Sequence, residues 1–243
     1  MLSQAAARRG AINLNNCGVI LLTRRRWSDA LDTFKDALHL MKSVANEQGG
    51  AVSEQEMQLA LHKAWQRTAI TFPAATQSND GPILKVISSQ CNPANICAFL
   101  NRNGCHQDTK FLVTIDPIDF EDSETDVTDL EAATILYNFG ISHRLLSFCG
   151  FVTAYHQDNS YPILQVTQTL AYNLFRKAMS KNKPHLNDPI MLINLLLTLS
   201  LVVSHDGTVT SEHFCEPLEE LVFLIHSFQK WMPVVDHKFA PAA

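Results

Sequence analysis

Apolar side chains recur with a 3.6-residue period from Ala5 to Val44, first as Ile12, Leu14, Cys17, Ile20 and Leu21. The stripe resumes as Ala30, Leu31, Phe34, Ala37, Leu38 and Met41 after a break from Thr23 to Asp29. Two helices joined by so short a turn are expected to lie antiparallel with their stripes facing, Ser28 or Asp29 capping the second. A third helix is predicted from Ser53, with Glu56 as its capping-box partner, through Met57, Leu59, Leu61 and Trp65. From Phe72 to Asp129 the helical period disappears, and Pro73, Gly81-Pro82, Asn92-Pro93, Gly104 and Pro117 punctuate the chain. Two β-type runs stand out there, Ile83 to Ile87 and Phe111 to Ile115, and are expected to pair as a hairpin. The connection from Ser88 to Lys110 is longer than hairpins use. Helical periodicity returns over Leu130 to Leu146, Thr167 to Ser180, Ile190 to Val203 and Ser211 to Trp231.

The pattern predicts a mainly α chain forming one domain over residues 1–243. Its parts are a helical region at 5–65, an irregular and β-containing insert at 66–129, a second helical region at 130–232 and a tail at 233–243. The acidic run Asp119, Glu121, Asp122, Glu124, Asp126, Asp129 and Glu131 reads as a solvated linker whose last members favour a helix N-terminus. It lacks the glycine and terminal glutamate spacing of a calcium-binding loop.

Composition narrows the function classes. The net charge of -5 argues against a nucleic-acid binder, which needs a basic face to meet phosphates. The basic cluster Arg24-Arg25-Arg26 reads as a solvated helix–helix corner. The longest uncharged stretch, Pro189 to Ser204, falls short of the roughly 20 apolar residues of a membrane span, so no membrane partner is expected. Six cysteines without short disulfide spacing fit reduced thiols in a cytoplasmic or nuclear protein.

Candidate chemistry is sparse. Cys91, Cys97, Cys105 and His106 are the densest potential metal ligands, but zinc ligands usually come in pairs separated by two to four residues. A metal-binding or thiol-dependent domain centred on residues 85–120 is therefore the second reading. No phosphate-binding glycine loop and no nucleophile elbow is found, so neither catalysis nor a cofactor is expected. The ten histidines are dispersed; His143 is a candidate for a helix face.

The helical regions also echo one another. Asn16, Gly18, Ala30, Phe34 and Ala37 recur as Asn138, Gly140, Ala171, Phe175 and Ala178, with the Ala-x3-Phe-x2-Ala spacing unchanged. Asn194 and Phe214 offer a fainter third copy. The pattern resembles the tetratricopeptide repeat, a helix-turn-helix unit of about 34 residues. The second copy matches once the longer stretch between Gly140 and Ala171 is looped out. The resemblance implies an α–α superhelix interrupted by the insert, in which Gly18 and Gly140 let paired helices cross closely and the phenylalanines fill the space between pairs. It also implies that first helices line a surface binding a protein or peptide partner, with Asn15, Asn16, Val19, Asn138, Ile141 and Asn194 as contact candidates. The expected function is thus a scaffold or adaptor; the alternative for the same asparagines is bonding between neighbouring helix pairs.

Overall fold

The structure is a computed structural model, and it describes residues 3–45, 52–70, 83–88, 109–115 and 126–148, together with 170, 171, 173, 174 and 177. These residues form α1 (Gln4–Thr23), α2 (Trp27–Ala45), α3 (Glu54–Ala69), β1 (Ile83–Ser88), β2 (Thr109–Thr114) and α4 (Asp126–Phe148). The described chain is mostly helical with one small two-stranded sheet.

Local sequence explains where each helix starts and stops. Ser3 caps α1 by accepting from the Ala6 N–H at 3.2 Å. At its far end the Arg26 N–H reaches Leu21 O and the Arg25 N–H reaches Leu22 O, both at 2.9 Å, which is the Schellman pattern of a helix C-terminus. Arg25 sits where glycine is usual, at φ 59°. Helix α2 begins at Trp27, earlier than expected, so Ser28 and Asp29 lie inside its first turn. Asp29 instead binds Arg26 at 2.6 Å, anchoring the turn to α2. The capping box of α3 forms as the sequence predicts, with Ser53 and Glu56 satisfying each other's backbone N–H groups. The basic cluster closes the other end of α3, where Arg24 and Arg26 donate to the free carbonyls of Thr68 and Arg67.

Close contacts fix the helix directions. Gly18 lies against Phe34 and Gly10 against Leu40, so α1 and α2 run antiparallel. Met57 meets Gly10 while Arg67 and Thr68 meet the α1–α2 corner, so α3 runs in the direction of α1. Arg8 meets Glu131 and Asn15 meets Asn138, which sets α4 parallel to α1. Helix α1 is the central element, packed against α2, α3, α4 and β2 and buried on most of its circumference. Ile20, counted in its apolar stripe, is exposed. Ala171 is buried in the same cluster as Trp27, Phe34 and Leu145, and Lys177 pairs with Asp129 at 2.8 Å.

Two further expectations are corrected. The strands pair in parallel, Ile83 opposite Thr109 through Ser88 opposite Thr114, and do not form a hairpin. A hairpin needs only a tight turn, whereas parallel neighbours need a crossover of a dozen or more residues, which the long stretch between β1 and β2 can supply. Parallel pairing also suits the apolar run that ends β2, since Leu112, Val113 and the Ile115 just beyond it are all buried. The second correction is Glu131, read as part of a solvated acidic run. Its carboxylate is buried and held by Arg8 through Nε at 2.7 Å and Nη2 at 3.0 Å.

Candidate functional site

The parallel helices α1 and α4 present three asparagines to the same edge of β2. In an extended chain, residues two apart direct their main-chain groups to one side, so Val113 and Ile115 face the helices together. Asn138 accepts from the Val113 N–H at 3.0 Å and donates to Val113 O at 2.7 Å. Asn16 repeats the arrangement at Ile115, accepting from its N–H at 3.0 Å and donating to its carbonyl at 2.8 Å. Each carboxamide thus pairs with one residue as a neighbouring strand would. Asn15 joins them, donating to Val113 O at 3.2 Å and to Asn16 Oδ1 at 3.1 Å, and accepting from Asn138 Nδ2 at 2.9 Å. Both amide hydrogens of Asn15 and both of Asn138 are used, so the buried network is closed rather than half-satisfied.

Beneath this polar rail lies an apolar floor. Val19 of α1 and Ile141 of α4 belong to the cluster that buries Leu112 and Val113, while Ile115 joins a second cluster with Leu14, Leu40 and Ile135. Of the five described contact candidates, Asn15, Asn16 and Asn138 bond Val113 and Ile115 directly, while Val19 and Ile141 lie in the apolar cluster that also holds Leu112 and Val113. Every asparagine contact to the strand is to main-chain atoms, so the carboxamides hold the extended chain without touching its side chains.

Of the packing candidates, Gly18 and Phe34 meet between α1 and α2, where a Cβ on Gly18 would stand 2.7 Å from the Phe34 ring, and Ala30 and Ala37 are buried on α2. Gly140 and Ala171 are buried as well. Phe175, Ala178, Asn194 and Phe214 lie outside the described residues, as do Cys91, Cys97, Cys105 and His106. Among the described residues no group of three or more potential ligands is placed to hold a metal ion, and no helix is long and apolar enough to cross a membrane.

His143 lies edge-on to Phe139, ring centres 4.6 Å apart. Burial, helped by the positive charge of Lys35, pushes its pKa down to about 4. The folded protein therefore binds a proton there less readily than the unfolded chain does. Stability from this site is fully present above the ordinary value of 6.5 and is lost as pH falls towards about 4. Denaturation curves at pH 7.5 and 5 should show wild type losing about 1 kcal/mol more than His143→Gln, a figure reduced for partial exposure. Equal losses in the two proteins would contradict this assignment.

Sequence reasoning missed the link between the asparagines and β2, and the Arg8–Glu131 pair. A usable signal existed for the first: asparagines on an apolar helix face need partners, and an extended segment is a source of unpaired N–H and C=O groups. No protein family, no curated protein and no solved structure matches this chain.

Proposed function

We propose that the chain is a scaffold or adaptor of degenerate tetratricopeptide-like helix pairs, and that a protein segment docks on the face formed by α1 and α4. The observation carrying this reading is the asparagine rail, which engages N–H and C=O of alternate residues in an extended segment. Side-chain amides are suited to main-chain recognition, and grooves that bind extended peptides draw affinity from such bonds. Supporting the repeat reading, α1 and α4 run parallel with α2 packed against both, as successive first helices of an array would. The Gly18–Phe34 contact has the close crossing that the resemblance implies.

The test compares wild type with Asn16→Ala/Asn138→Ala, both immobilised and exposed to the same cell extract. Circular dichroism first checks that the helices persist in the variant. Proteins captured by wild type should be lost from the variant; capture of the same proteins in equal amounts would overturn the reading.

A further inference from the structure

Resting on that reading, we infer that β2 is a tethered occupant of a peptide groove, and that the partner is an extended apolar segment that takes its place. Three features of the seated strand define the segment that fits. Leu112, Val113 and Ile115 are 0%, 1% and 3% exposed, so three of four successive positions must be apolar. Thr114, between them, is half-buried and its hydroxyl reaches Ile87 O at 3.3 Å, so this position tolerates a polar residue. Val113 and Ile115 each donate their N–H to an asparagine, so proline is excluded at the second and fourth positions. The partner motif is therefore apolar, apolar, any but proline, apolar, with the second and fourth N–H groups meeting the asparagines and those between them serving the ladder to β1. A segment of this kind inherits the parallel ladder with β1 on its other edge, so the exchange conserves the hydrogen bonds made to β2.

What favours β2 over a free segment is its covalent tether. A tethered ligand acts at an effective concentration on the order of millimolar, so a micromolar partner displaces it only by binding the groove roughly a thousand-fold more tightly, and a peptide of equal affinity enters only when the cis strand is weakened. The groove is thus held by the chain's own strand until a tighter-binding partner displaces it.

The probe is a fluorescein-labelled peptide of the sequence Thr109 to Asp116, read by polarisation. The full chain carrying Leu112→Ser/Val113→Ser/Ile115→Ser should bind it at least about 100-fold more tightly than wild type. Adding Asn138→Ala should weaken that binding about tenfold, and a peptide with proline in place of Val113 should not bind. If the triple variant lacks a cooperative thermal transition by itself, saturating peptide should restore one. A triple variant that neither binds the peptide nor gains a transition from it overturns the inference, as does binding indifferent to Asn138→Ala. Wild type that sediments as a dimer and becomes monomeric on the triple substitution would assign the groove to a second copy instead, also overturning it. Loss of captured proteins from Asn16→Ala/Asn138→Ala without peptide exchange would sink this inference alone. Capture indifferent to the asparagines would sink the proposed function with it.

Discussion

Phe34→Ala is expected to destabilise the protein by about 3–5 kcal/mol, read as a shift of the urea midpoint at unchanged slope. The ring is fully buried between α1 and α2, and Gly18 exists at its closest approach because no side chain fits there. Truncation leaves a cavity that the surrounding helices, fixed by the Schellman turn and the Arg26–Asp29 pair, cannot collapse to fill. Adding Gly18→Ala to wild type should overpack the site at a cost of about 1–3 kcal/mol, since its Cβ would stand 2.7 Å from the ring. In the Phe34→Ala background the same methyl enters the cavity, so the two changes should be less than additive. A loss below about 1 kcal/mol for Phe34→Ala would contradict the packing of the first helix pair.

Arg8→Met should cost a comparable 3–5 kcal/mol, roughly, because it strands the Glu131 carboxylate inside the α1–α4 interface. Burial pushes that carboxyl above its ordinary value even with Arg8 present, and the paired guanidinium pulls it back. Without Arg8 the folded protein holds Glu131 protonated at higher pH than the unfolded chain does. The deficit should therefore be largest near neutrality and shrink as pH falls towards the unperturbed 4.5. Replacing both partners, Arg8→Met with Glu131→Leu, should recover most of the loss, since two apolar side chains need neither solvent nor a partner. Chemical denaturation of the three variants at pH 7 and pH 5 gives the comparison. A double variant as unstable as the single one would show that the pair contributes more than mutual neutralisation.

Much of the local structure was legible because it depends on near neighbours in the chain. The stripe through Ala30, Phe34, Ala37 and Met41, the capping box of Ser53 and Glu56 and the two apolar β runs each carry their signal within a few residues. What was not legible depends on distant pairs. The parallel sense of β1 and β2 is set by how the intervening chain crosses over, which alternation of apolar residues does not encode. Glu131 reads as one more member of an acidic run until Arg8, far away in sequence, is placed beside it. The site falls between these cases. The shared position of Asn16 and Asn138 in their helices marked a common face, but only the fold shows β2 seated against it.

Amide hydrogen exchange tests residue by residue whether these asparagines hold an extended backbone. In wild type the N–H groups of Val113 and Ile115 should exchange slowly, like those of the core helices. Asn138→Ala should release Val113 more than Ile115, and Asn16→Ala should do the reverse, since each carboxamide accepts from one of them. Fast exchange at both positions in wild type, or protection unchanged in both variants, would contradict the asparagine contacts.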